Sequence, residues 1–147
     1  MLFRSIAVLD EGRLRQQGTP AELLAAPADA FVAAFCGAHV LTATGEGGEE
    51  VVLADGRLVR APQAQGRRGA LALAVHSWEA GVALREPAGP ALRGVVAGVT
   101  AQGERRRVRF AGGLEAEAQA ADVEALSPGA VAWATFGAGG PRVLDLS

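Results

Sequence analysis

The sequence predicts a mainly β protein built from two related β-units, preceded by a short β-hairpin and a helical segment. Three observations support this prediction. Helical periodicity is confined to the stretch that ends at Gly37. From Ala38 onward, short alternating apolar runs are punctuated by Gly, Pro and Asp-Gly, which is typical of small β-barrels and sandwiches. Finally, these runs occur twice in the same order, which indicates an internal repeat.

The chain opens with a predicted hairpin. Its first strand ends in the apolar run IAVL, residues 6–9, and the turn is Asp10-Glu11-Gly12. The return strand covers Arg13 to Gln17 and alternates in character. The strand at residues 2–9 has an unpaired edge, so we expect segment 1–37 to be exchanged between chains or loosely ordered.

Two short helical segments follow the hairpin. Thr19 caps the first, Pro20 occupies the first helical position, and Glu22 completes a capping box. Pro27 ends this helix. The second segment runs from Ala28 to Cys36 and ends at Gly37, which supplies a left-handed stop. One apolar face of it is predicted to contain the following residues: Phe31, Val32 and Phe35.

Two predicted hairpins define the repeat. Residues 51–59 carry an Asp-Gly turn between β-prone arms, and residues 108–116 repeat the pattern with Gly-Gly. Residues 69–76 likewise correspond to 129–136. The offset between copies is 51 residues at the start, 57 at the hairpin and 60 at the end. We therefore divide the chain into 1–37, a first unit 38–90 and a second unit 91–147, with a Pro- and Gly-rich linker at 86–90. The alternative is a single irregular barrel in which the two hairpins are only superficially alike.

Composition and charge exclude several classes of function. The 147 residues are 50% hydrophobic, enough to form a core, and carry a net charge of −2. All 14 basic residues are arginines, and the only basic run is Arg105-Arg106-Arg107, so nucleic acid is not a predicted partner. Cys36 is the single cysteine, which excludes an internal disulfide and matches no metal-ligand spacing. No apolar run is long enough to span a membrane, so we expect a cytoplasmic protein. No cofactor is predicted.

The stretch from Ile6 to Gly37 resembles the end of the ATP-binding subunit of ABC-type importers. The similarity rests on the order strand, D-E-G turn, G-R-L-R-Q-Q-G-T-P-A-E-L, a Pro-bounded spacer and F-V-A-A-F-C-G. The resemblance implies that a regulatory domain follows. The chain itself contains no lysine and therefore no phosphate-binding loop, so we predict no catalytic residues and no ATPase activity for it alone.

The second half resembles the OB-like TOBE domain of such subunits, and particularly its Mop-type version associated with molybdate and tungstate. The motifs are G-V-V-A-G-V-T, V-R-F-A-G-G-L-E-A-E-A, L-S-P-G-A-V-A-W-A-T-F and a final R-V-L. The resemblance implies an OB-like barrel and an oxyanion site made of N–H groups, hydroxyls and a cation. It covers residues 91–147 best.

Two polar segments of the family pattern are absent. The residues before Gly94 include neither Ser nor Asn, and Phe136 is followed by glycines and an alanine instead of Lys and Ser. Backbone N–H groups in a Gly-rich turn can still bind an anion. The candidate ligand-binding residues are therefore the following: His39, Arg93, Gly137 and Gly139.

The tetrapeptide His76-Ser77-Trp78-Glu79 combines residue types that hydrolases use. Neighbouring strand residues point to opposite faces, however, so this tetrapeptide does not predict a catalytic triad. Trp78 and Trp133 are predicted to pack in or at the rim of the core.

The two resemblances imply a regulatory and dimerising domain of the ATP-binding subunit of an ABC importer of the molybdate/tungstate type. It would act by binding, at the inner face of the membrane. Its expected partners are a second copy of the chain, the ATPase core, the membrane permease and an oxyanion. The alternatives are a free-standing Mop-like molybdate storage protein and the same accessory domain from an iron, sulfate, sugar or polyamine importer.

Overall fold

A computed structural model describes residues 5–146 of the chain. Within that range the chain forms twelve strands and two short helices, which confirms the mainly β prediction. The strands are β1 Ile6–Asp10, β2 Arg13–Gly18, β3 His39–Glu46, β4 Glu50–Leu53, β5 Leu58–Arg60, β6 Arg68–Val75, β7 Ala80–Ala83, β8 Ala91–Gln102, β9 Arg105–Phe110, β10 Glu115–Gln119, β11 Val131–Phe136 and β12 Arg142–Leu144. The helices are α1 Pro20–Ala25 and α2 Ala30–Phe35, and single 3-10 turns lie at Pro62–Ala64, Ser77–Glu79 and Ala120–Val123.

The N-terminal segment forms the predicted hairpin and helices. Strand β1 pairs with β2, and the Thr19 hydroxyl accepts a hydrogen bond from the Glu22 N–H at 3.2 Å, which confirms Thr19 as the helix cap. The Glu22 carboxylate accepts from the Thr19 hydroxyl at 3.1 Å and not from the Thr19 N–H, so only one half of the predicted capping box forms. A small apolar cluster of Val8, Leu23 and Val32 joins the hairpin to both helices. Phe35 is 64% exposed, so its predicted place on the apolar face is wrong: it lies at the last helical position and turns away from that cluster.

Helix α2 also connects this segment to the rest of the chain. Ala33 packs with Ala38 and Ala74, and the Ala30 N–H donates to the Asp145 carbonyl at 3.0 Å. Exchange or loose order of segment 1–37 remains a prediction, and residues 1–4, at which the expected first strand begins, lie outside the described residues.

The remaining ten strands form two five-stranded antiparallel sheets. The first has the order β12-β6-β3-β4-β5 and the second β10-β9-β8-β11-β7. Each sheet therefore takes its outer strand from the other half of the sequence, so the sheets do not follow the predicted division at residue 90. β7 pairs with β11, and β12 pairs with β6. In the second sheet β10 also runs close to β7, although no hydrogen-bonded ladder joins these two strands among the described residues.

The strand registers of the two halves correspond residue by residue. Ala74 pairs with Arg142 and Ala134 pairs with Val82, which is the same pairing shifted by 60 in both strands. In the hairpins, Val51 pairs with Val59 and Val108 pairs with Ala116, shifted by 57. The first strands differ by 52, because Leu41 lies opposite Leu73 and Arg93 lies opposite Trp133. The predicted offset of 51 there is one residue short.

A single apolar core lies between the two sheets. It contains large buried side chains from both, including Leu73, Val51 and Val59 from the first and Val96, Val108 and Phe110 from the second. Units of this size bury little surface alone, so sharing a core and an outer strand compensates for their small size.

Candidate functional site

The structure places the four candidate residues in three different regions. His39 begins β3, Arg93 lies in β8, and Gly137 and Gly139 lie in the turn between β11 and β12. His39 and Arg93 line two separate clefts, which we name the His39 cleft and the arginine cleft.

The arginine cleft has a volume of about 300 Å³. It lies where the hairpin between β4 and β5 meets strand β8, so residues from both halves of the repeat form its walls. Its lining consists of Asp55, Arg57, Arg93, Gly94, Val95 and Ala111.

A network of hydrogen bonds holds Arg57 in this cleft. The turn places Gly56 at a φ of 90°, where an L-residue would be strained, and brings the Asp55 carboxylate back toward Arg57. Asp55 Oδ1 accepts the Arg57 backbone N–H at 3.0 Å, and Oδ2 accepts Nε at 2.8 Å and lies 2.7 Å from Nη2. Hydrogen bonds from Arg57 lower the pKa of the Asp55 carboxyl. Arg57 Nη1 then donates to the Arg93 carbonyl at 2.6 Å, across the boundary between the halves.

Arg93 gives the arginine cleft its net positive charge. It is exposed and, among the described residues, its side chain makes no hydrogen bond or ion pair. The cleft thus contains two guanidinium groups and one carboxylate that is already paired with Arg57. Guanidinium groups are always charged and present several N–H donors in a planar fork that matches oxyanions. The arginine cleft is therefore suited to an anion.

The His39 cleft is similar in size, about 320 Å³, but differs in charge. His39, Ser77, Trp78, Arg107 and Glu115 contribute its chemically distinctive side chains. Burial lowers the pKa of His39, although the Glu115 carboxylate opposes this effect, so the neutral form of the imidazole is favoured over the charged form.

The charges of the His39 cleft are already matched. Arg107 Nε lies 3.3 Å from Glu115, and its Nη2 lies 3.8 Å from Glu117, which also accepts a hydrogen bond from the Ser77 hydroxyl at 3.0 Å. With a neutral histidine and paired arginine, an anion here would meet two carboxylates without a free cation. This cleft is accordingly the weaker candidate for an anion.

The glycine candidates belong to a turn. The Gly140 N–H donates to the Gly137 carbonyl at 2.8 Å, and Gly140 has a φ of 70°. An added Cβ at Gly140 would lie 2.6 Å from Pro62 Cδ, so close packing explains this glycine, whereas Gly137 and Gly139 face open space. Neither lines one of the two clefts, and an anion-binding role for them remains a prediction.

The tetrapeptide after β6 has no triad geometry. Ser77 donates to Glu117, and Glu79 accepts the His76 backbone N–H at 2.9 Å and pairs with Arg142 at 3.1 Å. The prediction that Trp78 packs in or at the rim of the core is wrong: its ring stacks on His76 at a centroid distance of 4.3 Å and the residue is 62% exposed, because it lies in a surface 3-10 turn. Trp133 is half-buried in β11 and alternates with the buried core residues Ala132 and Ala134, so its side chain lies on the other face of the strand, and its packing in or at the rim of the core stays a prediction.

Sequence patterns alone missed Arg57 and Arg107. Arg57 follows an Asp-Gly turn at the spacing that lets the Asp carboxylate bind it, which is a usable pattern. Arg107 lies within the basic run, and its ion pairs with Glu115 and Glu117 form only because β9 pairs with β10. Another depression, of about 510 Å³, is lined by Arg106, whose guanidinium already donates to the carbonyls of Gly103 and Arg105. Within residues 5–146, no helix is long and apolar enough to cross a membrane.

Comparison with known proteins identifies the fold. No protein-family model matches the chain, and no curated protein matches it. Among solved structures, it is similar to the cytoplasmic molybdate-binding protein ModG in a crystal form with molybdate bound. That similarity has a TM-score of 0.57 at 19% sequence identity and covers 73% of this chain and 95% of that one. It confirms the predicted OB-like, TOBE/Mop-type fold class.

Proposed function

We propose that this protein binds a tetrahedral oxyanion of the molybdate and tungstate type in the arginine cleft. The observation that carries the proposal is the pair Arg57 and Arg93, which leaves a net positive charge beside a concave surface. The fold supports it, since the similar protein ModG is a molybdate-binding protein.

The chemistry of binding follows from the arrangement of the cleft. Arg57 is pre-oriented by Asp55, so little side-chain entropy is lost when it donates to an anion. Arg93 is exposed and gains its first charged partner on binding. Each charge-assisted hydrogen bond of this kind contributes about 1.5–3 kcal/mol. Because Arg57 belongs to the first half of the repeat and Arg93 to the second, a bound anion would hold the two halves together.

We further propose that this binding domain regulates the ATP-binding subunit of an ABC importer. The support is the residue pattern of segment 6–37, whose hairpin and helices fold as one unit and pack on the first sheet. In that setting the partners are the ATPase core, the permease and a second copy of the chain, at the cytoplasmic side of the membrane. Oxyanion occupancy would shift the equilibrium of the ATPase pair by favouring one arrangement of the two halves.

The alternative is a free-standing oxyanion storage protein. The observation that favours it is that 95% of the ModG chain is covered by the match. A G-x-x-x-x-G-K-[ST] loop encoded in frame upstream of Met1 is expected under the transporter proposal, and its absence would favour storage. Sedimentation would show whether the chain pairs with a second copy, as the transporter proposal expects.

Calorimetry tests the binding proposal. Molybdate, tungstate and sulfate are titrated separately into the purified protein, with molybdate and tungstate expected to give saturable heat. Arg93→Ala should weaken binding at least tenfold, since it removes a charged donor. Arg13→Ala is the matched control, because it deletes an exposed arginine on β2 that lines neither cleft. Absence of heat with all three anions, or equal affinity in the Arg93 and Arg13 variants, would overturn the proposal.

A further inference from the structure

We infer that each chain binds a single oxyanion, because only one of two quasi-equivalent positions in the repeat carries the charged residues. This inference rests on the proposed function and specifies its site. It concerns the residues that decide which half of the repeat can bind.

The strand registers define the counterpart of each cleft residue. The hairpins correspond at an offset of 57, so Asp55 matches Gly112 and Arg57 matches Leu114. The first strands correspond at an offset of 52, so Arg93 matches Leu41. The backbone agrees with this assignment, since Gly56 and its counterpart Gly113 both have positive φ, 90° and 104°.

Hydrogen bonds at the ends of the hairpins repeat as well. The Ala54 N–H donates to the Thr42 carbonyl at 3.2 Å, and the Ala111 N–H donates to the Val95 carbonyl at 2.8 Å. Each hairpin is thus fixed to the first strand of its own half through corresponding N–H donors, although the acceptor in the second half lies one residue further along its strand than the offset of 52 places it. The two positions differ in side chains and share a backbone arrangement.

The residues that correspond to Asp55, Arg57 and Arg93 carry no charge at the second position. Both arginines are replaced by leucines, and the carboxylate is replaced by a glycine without a side chain. Leu114 is 4% exposed and belongs to the core. Leucine side chains supply no hydrogen-bond donor to an anion, so burying an anion against them is unfavourable.

Space at the second position is also insufficient. A gap of about 20 Å³ lies between Leu41, Leu92, Phe110 and Leu114, with Arg57 and His39 also on its wall, and it has room for about one water molecule. A tetrahedral oxyanion has four oxygen atoms around a central atom and does not fit. Leucine packing in one half and arginine binding in the other are therefore alternative uses of one backbone position.

The test is the stoichiometry of binding. Molybdate is titrated calorimetrically, and bound molybdenum per chain is measured independently by equilibrium dialysis with elemental analysis. The expected result is one molybdate per chain. Arg93→Ala should reduce the affinity for that one molybdate ten- to a hundred-fold, so that no site with the wild-type affinity remains. Arg13→Ala should leave both affinity and stoichiometry unchanged.

The outcomes separate this inference from the proposed function. Two molybdates per chain, or one-half per chain, would overturn the single-site inference while leaving oxyanion binding in place. The single-site inference would also be overturned if the Arg93→Ala variant bound half as much molybdate per chain as the wild-type protein, with unchanged affinity. No binding to the wild-type protein would overturn both. Circular dichroism checks that the exposed Arg93 position tolerates the change without loss of fold.

Discussion

Val143→Ala tests the exchange of outer strands between the two halves. Val143 lies in β12 near the C-terminus, is 5% exposed and packs in the core, opposite Leu73 of the first sheet. The substitution removes two methyl groups, worth about 0.8 kcal/mol each, and the cavity left behind adds to this loss. We expect a decrease of about 2 kcal/mol in the free energy of unfolding, measured by urea denaturation.

Native-state hydrogen exchange then locates the loss. A local cost of about 2 kcal/mol corresponds to a roughly 30-fold faster exchange of amides that are released when β12 opens. These amides should lie in β6, around Ala72 and Ala74, although Val143 is remote from them in sequence. Val82→Ala in β7 is the reciprocal control, and its effect should appear around Ala134 in β11. If Val143→Ala accelerated exchange in β11 and left β6 unchanged, the exchange of strands would be refuted.

Three further predictions concern stability. His39 and His76 both have pKa values lowered mainly by burial, so each binds a proton more weakly in the folded state than in the unfolded state. The free energy of unfolding should therefore fall as the pH drops below about 6.5, by at most about 1.4 kcal/mol per pH unit for each histidine. Replacing both with Gln should make the urea midpoint less dependent on pH between pH 5 and 7. Val32→Ala should lower the free energy of unfolding by about 2 kcal/mol, because Val32 is fully buried. Phe35 is 64% exposed, so Phe35→Ala should change the free energy of unfolding by less than about 0.5 kcal/mol. Equal effects of the two substitutions in urea denaturation would contradict the packing of α2. Gly113→Ala should cost about 2 kcal/mol, since φ is 104° and the new Cβ would lie 3.2 Å from His39 Cε1; an unchanged thermal midpoint would disprove the strain.

The two clefts show why a count of charged residues does not identify a site. The His39 cleft contains a histidine and an arginine, but its carboxylates arise from the same strand, β10, that pairs with the arginine-bearing strand β9. Cross-strand neighbours of opposite charge neutralise each other. In the arginine cleft, only Asp55 balances two arginines, and it does so within the same turn.

Much of the local structure was predictable because it depends on neighbouring residues. The Asp-Gly and Gly-Gly turns, the helix cap at Thr19 and the left-handed Gly37, at a φ of 92°, each follow from chemistry within a few positions. The repeat was predictable for a similar reason, since corresponding strands keep the same alternation. Trp78 was misplaced because the sequence does not show that the apolar strand ends at Val75 and a surface turn follows.

The candidate site was predictable only in part. Arg93 followed from the resemblance to the TOBE/Mop pattern, but its neighbour Arg57 lies 36 positions earlier and joins it only through the packing of a hairpin on β8. Whether His39 and Arg93 share a site could not be decided from spacing either. The structure separates them, with Gly94 lining the arginine cleft and Gly113 lining the His39 cleft.

The fold class, the hairpins, the two helices and the existence of a repeat could be predicted from the residues, because turn chemistry and alternation act over a few positions. Which sheet receives β7 and β12, and which side chains meet in the clefts, depend on the packing of the whole chain. Those choices depend on burying the apolar faces of both halves in one core, an energy that no short segment contains. The charge of the arginine cleft is one consequence: Arg57 and Arg93 become neighbours only when the first hairpin docks on the second sheet.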